Sequence, residues 1–439
     1  VPAYTLRVAI NGSETDVDVE NDDADWLTKI ANLRTTDGGG TWFRAGNQAA
    51  AALDLNIPLA VADAVRTVTI AVQGPHDGGG GASDYLTSVG GGLYYRVIFH
   101  GTVVAKKAVV GEPLIQIDAI SEMQQLLERR ARTAASNNSG PRAVTTDIET
   151  AHSLTIPVNT AYPLGTDFYT LDRPAQKGAS NGEWLKKALA GTGCNPTAEW
   201  NGPITAPELC WRVDYAWTVG MRNQQLEATR PWAYSYPDVG TTWQDFPARV
   251  EVEGENSAGT QHYGWARLGD SSIRTQLGNQ SVSLSTWIDT AAECETAAAT
   301  LLGHIGEPDY LRMFRVGFYP DFLLSEMTGN GVTEATAQVR AMDHACAMPG
   351  DFFVRRNPFD DTHSEDWPSV CPVGSDRYDD LEALWVHPVR DNGVSSGNVL
   401  YYGIRTVNRW WTPTGGWYLE VSAEPDGTLT PADSGNGTY

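Results

Sequence analysis

Positive charge is scarce in this sequence. Its 439 residues carry 31 Lys and Arg against 54 Asp and Glu, a formal net charge of -23 at pH 7, with a sequence pI near 4.6. Tight, sequence-independent binding to nucleic acid or to anionic lipid draws on a basic face, so both are disfavoured as functions. Cysteine is scarce as well. Cys194, Cys210, Cys294, Cys346 and Cys371 make an odd total with no C-x-x-C spacing, which argues against a disulfide framework and a zinc site. A single Cys194–Cys210 bridge stays as the minor alternative, and the other cysteines read as small buried hydrophobes.

Also missing is any run of 18 or more apolar residues, the length that a membrane-spanning helix needs. No membrane insertion by this chain is expected. The opening VPAYTLRVAI has neither a basic lead nor a small-residue cleavage site, so a secretory leader is expected to be absent or already removed. At 41% hydrophobic and 19% charged, the composition is that of a globular rather than a disordered protein. The length fits about two to four domains of roughly 100–200 residues.

Glycine (44), proline (24) and tryptophan (15) are plentiful, and Val, Ile, Thr and Tyr cluster in short runs. That pattern predicts a mainly β, multidomain chain with a few helices. VRTVTIAV (65–72) and LYYRVIFHGTVV (93–104) read as two strands of a hairpin, joined by a long flexible loop that includes Gly78 to Gly81 and Gly90 to Gly92. PLIQIDAI is a third strand. The helix SEMQQLLERRA follows, with Ser121 and Gln124 at capping-box spacing and Ile120, Met123, Leu126 and Leu127 as its apolar stripe. A first β module over 1–132 thus closes with a helix near Arg132.

Residues 133–210 weaken into Asn, Ser, Gly, Pro and Thr and read as a connector or insertion. Its one short helix, NGEWLKKALA, has Ser180 and Glu183 as a capping box and Gly191 as its stop. Trp200, Trp211, Trp217, Trp232 and Trp243 then crowd together as a packed core or a subunit interface, with a sugar platform as the lesser alternative. A second module, 211–330, runs through strands to a helix capped by Thr290 and Glu293. Cys294, Ala297, Ala298, Leu301, Leu302 and Ile305 form its face, and Gly306 with Pro308 ends it. Segments 60–132 and 245–320 repeat the order strand pair, strand and capped helix, which predicts two similar β modules. Residues 331–424 read as a C-terminal β region and 425–439 as a flexible tail.

The search for chemistry returns no catalytic, cofactor-binding or metal residue. Gly178 to Gly182 and Gly393 to Gly397 both spell G-x-S-x-G. A nucleophilic serine in that string needs a buried strand before it and a helix after it, and neither place has both. Ser180 reads as a helix cap and Ser395 as part of a hairpin turn. The acidic clusters 21–25, 359–366 and 376–382 lack EF-hand spacing and read as solvated loops, with a calcium site left open. The eight histidines include no H-E-x-x-H. A carboxylate pair for glycoside hydrolysis cannot be located by pattern among 54 acids.

Three stretches share a resemblance. GDSSIRTQLG with SVSLSTWI, the helix ending LLGHIGEP and the strand RMFRVGFYP resembles the tail-hub members of the minor tail proteins of actinobacterial long-tailed phages. YYRVIFHGTVV followed by IDAISEMQQLL is similar to the first module of those hubs, and VLYYGIRTVNRWWTPTGGWYLEVS to their closing hairpin. The matches fall around 93–130, 245–320 and 398–424, about half of the chain, and their order carries more than any one of them.

The resemblance implies a virion protein of the siphovirus tail tip, assembled in the host cytoplasm. It would be a non-enzymatic homotrimer whose chains each supply two tube-type modules, joining the tail tube and the distal tail and tape measure proteins to tail-tip or receptor-binding proteins. DNA would pass through its channel without specific binding, and no cofactor is implied. The alternative is a cell-envelope carbohydrate-binding or glycan-hydrolysing protein.

Overall fold

The computed structural model describes residues 2–14, 26–38, 50–76, 86–108, 111, 113–130, 136–152, 169–173, 179–191, 194–215, 225–227, 234–240, 248–268, 281–303, 313–329, 333–349, 352–356, 399–425 and 433–438. Among these the chain is mainly β, as its composition predicts.

The N-terminal third supplies β1 (Thr5–Ile10), β2 (Ile30–Gly38), β3 (Ala50–Leu55), β4 (Thr67–Pro75), β5 (Thr87–Gly90), β6 (Leu93–Ala108) and β7 (Ile115–Ser121). Three helices, α1 (Trp26–Lys29), α2 (Leu59–Ala64) and α3 (Glu122–Glu128), lie between and after them. The middle supplies β8 (Ser136–Ser139), α4 (Pro141–His152), β9 (Leu171–Arg173), α5 (Asn181–Leu189), β10 (Cys194–Asn201), β11 (Glu208–Tyr215), β12 (Gln225–Glu227) and β13 (Tyr234–Gly240). Then come β14 (Arg249–Glu255), β15 (Gln261–Arg267), β16 (Ser281–Thr286), α6 (Ala291–Gly303) and β17 (Met313–Phe318). The remainder holds α7 (Pro320–Gly329), α8 (Glu334–Ala345), β18 (Phe352–Arg356), β19 (Val399–Thr412), β20 (Gly416–Pro425) and β21 (Asp433–Thr438).

One large sheet runs in the order β1-β4-β6-β7-β3-β2-β19-β20-β17-β13, with β5 beside β6 and β18 linking β12 to β19. It crosses the boundaries that composition suggests, because β19 of the C-terminal region pairs with β2, Thr406 opposite Gly38. The alternation that a half-buried strand needs is plain in β7, where Ile115, Ile117 and Ala119 point inward. On β6 every residue from Tyr95 to Phe99 is buried, since Ile98 and Phe99 enter one core while Tyr95 and Val97 enter another.

The first core lies against one face of the large sheet and holds α8. That helix is predicted by no obvious stripe, because its inward residues are small: Ala337, Ala341 and Ala345, with Met342. Small side chains let it nest among Tyr4, Val72 and Ile98, and Gly74 leaves the space that Tyr4 and Met342 fill. So the C-terminal region read as β, 331–424, contains the helix α8 before β18. The second core joins α5, α6 and the smaller sheet, where Trp184 meets Trp287 edge-on at 6.0 Å.

The smaller sheet is ordered β16-β14-β15-β21. Here the expected duplication reduces to element order. In the first module the third strand, β7, pairs antiparallel with β6, the second strand of the β4-β6 pair. In the second, β16 pairs parallel with β14, the first strand of the hairpin. The strand after the helix, β17, leaves for the large sheet, between β20 and β13.

Three further expectations need correction. The connection from β4 to β6 contains β5, which returns through a turn with positive φ at Gly90, Gly91 and Gly92. Cys210 lies opposite Glu199 while Cys194 lies opposite Tyr215, at the far end of that strand pair, so the two cannot form a bridge. The flexible tail is a strand over Asp433–Thr438, because β15 offers an unpaired edge and the tail's glycines let it approach two aromatic rings.

Candidate assembly surface

The residues singled out for chemistry fall into structural roles or outside the described residues. Ser180 caps α5: its hydroxyl accepts from the Glu183 N–H at 3.2 Å, and its own N–H donates to Glu183 Oε2 at 2.9 Å. Ser121 caps α3 by accepting from the Gln124 N–H at 3.1 Å, but Gln124 turns its amide to Glu128 rather than closing the box. Thr290 accepts from the Glu293 N–H at 3.2 Å. Glu293 in turn accepts from the Thr170 N–H at 2.9 Å, which ties the connector to α6.

Cys294 and Cys346 are buried and take part in no disulfide among the described residues. Burial pushes the Cys294 thiol up to about 12, so it carries no thiolate at neutral pH. Ser395, the three acidic clusters, Cys371, Trp217, Trp232 and Trp243 lie outside the described residues. Among the described residues no group of three or more His, Cys, Asp or Glu could hold a metal ion, and no helix is long and apolar enough to cross a membrane. Of the Trp cluster, Trp200 is buried and meets His100 edge-on at 5.4 Å, a core position.

The surface that stands out lies on the face of the β2-β19-β20 strip turned away from the first core. Strand alternation builds it. In β19 Val407, Arg409 and Trp411 are buried, and in β20 Trp417, Leu419 and Val421 are buried, so Trp410 and Tyr418 are turned outward. Register then aligns them: Arg34 of β2 is opposite Trp410, and Trp410 is opposite Tyr418.

The Arg34 guanidinium carbon lies 5.7 Å from the centre of the Trp410 ring. Trp410 and Tyr418 are tilted at 5.6 Å, and Tyr418 meets Tyr319 at 4.8 Å. The row ends in solvent. Tyr319 is 49% exposed, as is 44% of Phe322 in the first turn of α7. Tyr418 donates to Glu420 Oε1 at 3.2 Å, which sets a carboxylate beside the rings. The sequence signal was only the alternation in NRWW and GWYLE, where two adjacent tryptophans must face opposite sides.

Rings with one polar end, flanked by a guanidinium, are the side chains that dominate protein–protein contacts. Sheet ends add a second kind of contact. Among the described residues β1, β13, β16 and β21 each pair on one side only, and such edges invite pairing with another chain.

No family model and no curated protein matches the sequence. Among solved structures, the chain is similar to the 43 kDa tail protein of prophage MuSo2 from Shewanella oneidensis, at 10% identity and a TM-score of 0.45 over 96% of this chain and 98% of that one. A tail protein from Neisseria meningitidis MC58 aligns at 9% identity and a TM-score of 0.47, over 97% of both chains. The prophage tail protein gp18 from Listeria monocytogenes EGD-e aligns at 9% and 0.39, over 95% of this chain and 94% of that one. Likeness at this level assigns no function.

Proposed function

We propose that the chain is a structural, non-catalytic protein of a bacteriophage tail, the hub or minor tail protein of the tail tip. The observation that carries the reading is the outward row Arg34, Trp410, Tyr418 and Tyr319, set on a sheet whose end strands pair on one side only among the described residues. A β protein that presents both features to solvent is suited to standing among neighbours. The order of the three sequence stretches around 93–130, 245–320 and 398–424 supplies the rest.

In this reading three copies form a ring by strand edges and aromatic contacts, burying at least about 1,600 Å² per interface in total. The ring joins the tail tube, the distal tail protein and the tape measure protein to the tail-tip or receptor-binding proteins. DNA passes through it unbound. The excess of acids on the chain supports a channel wall of net negative potential, which repels phosphate.

The test is sedimentation of the purified chain at high concentration, combined with antibody-labelled electron microscopy of particles. A trimer, with label at the tail tip, is the expected result. A chain that stays monomeric and occurs in particles in a copy number not divisible by three would overturn the reading. Release of reducing sugar from host cell walls would replace it with the glycan-hydrolysing one.

A further inference from the structure

The last strand of the chain is held by an unusually specific fit. β21 lies antiparallel to β15, Gly435 opposite Trp265 and Gly437 opposite Tyr263. A Cβ on Gly435 would come within 3.0 Å of the Trp265 indole, and one on Gly437 within 2.4 Å of the Tyr263 ring. The indole has little room to swing aside, since the Arg249 and Arg267 guanidinium carbons lie 4.5 and 5.6 Å from its centre. On the opposite side of the strand, Ser434 Oγ donates to Glu295 Oε1 at 2.6 Å and Asn436 Nδ2 donates to Glu295 Oε2. Thr438 Oγ1 lies 3.1 Å from His262 Nδ1.

Glu295 is brought to this edge by Gly264, on which α6 rests directly: a Cβ there would lie 2.0 Å from the Glu295 nitrogen. The site therefore reads a strand with glycine at each ring-facing position and a side-chain donor at each position facing Glu295. Ser-Gly-Asn-Gly-Thr answers that pattern.

The same strand has little apolar burial to hold it. Ser434, Asn436 and Thr438 are exposed, and glycine and asparagine are poor strand formers. Strands of this kind open at low cost. Its predecessor β20 belongs to the other sheet, so no hairpin ties β21 to the edge that it covers. Residues 426–432 connect them and span up to about 25 Å at full extension. A strand held in this way can remake identical contacts on a second copy, the condition for exchange between copies.

We propose that the edge of β15 that β21 covers, with Glu295, Trp265 and Tyr263, is a strand-acceptor site that is filled, on assembly, by the Ser434–Thr438 strand of a second copy of this chain. The inference is independent of the tail reading, since it concerns association between copies in any setting.

Two full-length variants separate donor from acceptor. Gly435→Val with Gly437→Val leaves the acceptor intact and spoils the strand; Glu295→Lys spoils the acceptor and leaves the strand intact. Mixed together, they have one competent donor and one competent acceptor, which can meet only between chains. Native mass spectrometry and sedimentation should show a mixed pair at least tenfold tighter than either variant with itself. A synthetic peptide of residues 430–439 should bind the double-glycine variant and shift its tryptophan emission. Both variants are first checked by circular dichroism for retained structure. If the mixed pair is no tighter than either variant alone, or if the peptide leaves the double-glycine variant unchanged, the proposal fails.

Discussion

Arg96 of β6 donates from Nη1 to the carbonyl of Cys346 at 2.9 Å, a buried bond between residues 250 positions apart. Arg409 of β19 donates to the next carbonyl, that of Ala347. In the sheet order, β7, β3 and β2 separate those two strands. The two cations thus converge from distant strands on the C-terminal end of α8, where orphan carbonyls carry partial negative charge. Arg96→Met should lower stability by about 2–3 kcal/mol, because a buried charged donor to a carbonyl is lost. Urea unfolding measures it, and a change below half of that would show the bond to be incidental.

Gly254 should tolerate no side chain. A Cβ would stand 2.3 Å from the Ile288 carbonyl oxygen and 3.0 Å from Cys294 Sγ, where β14 meets the approach to α6. Overpacking against backbone predicts a loss of about 2–3 kcal/mol for Gly254→Ala. Gly329→Ala is the control, since nothing lies within 4 Å of the added carbon; its unfolding midpoint should stay level or rise.

Acid should weaken the fold in part through His100. Burial holds its imidazole below the usual 6.5, while Thr69 Oγ1 lies 2.8 Å from Nδ1. The unfolded chain therefore binds the proton first as pH falls. The contribution is whole above about pH 6.5 and is lost as pH falls through the window below it, down to the lowered folded value. Urea midpoints between about pH 7.5 and 5.5 should fall less steeply in His100→Gln than in the unaltered chain. Equal slopes would remove His100 as the cause.

Cys294 should resist alkylation. With its thiol pushed up to about 12 and buried on the inner face of α6, it offers almost no thiolate at mild pH. Iodoacetamide followed by peptide mass mapping should label Cys294 only after denaturant is added. Fast labelling of the native chain would show that α6 lifts from β14 and β15.

Trp410→Ala should weaken association of copies at least tenfold, while thermal unfolding shifts little, since the ring is partly in solvent. Val104→Ser, at a site 56% exposed on β6, is the comparison that should leave association unchanged. If both variants associate as the unaltered chain does, the aromatic row is not an interface.

Local rules explain what could be read in advance. Caps at Ser121, Ser180 and Thr290 follow from hydroxyl chemistry within three residues, and the β19-β20 hairpin follows from alternation around a short turn. Two features escaped for opposite reasons. α8 is buried through its second half and uses alanine where a surface helix would use leucine, so no stripe marks it. β21 is polar and glycine-rich, and only the Trp265 and Tyr263 rings of its partner make that composition a strand. The row from Arg34 to Tyr319 joins three segments distant in sequence, namely β2, the β17–α7 junction and the β19-β20 hairpin, which no local pattern can align.

The pairing of β2 with β19 bears on how the chain is made. A ribosome delivers the first seven strands long before residues 399–412 emerge, so the edge of β2 that Trp410 and Trp411 will cover stays open through most of translation. Such late, non-local closure slows folding and leaves a sticky intermediate exposed. The nascent protein thus has reason to depend on a chaperone that shields β2 until the closing hairpin arrives.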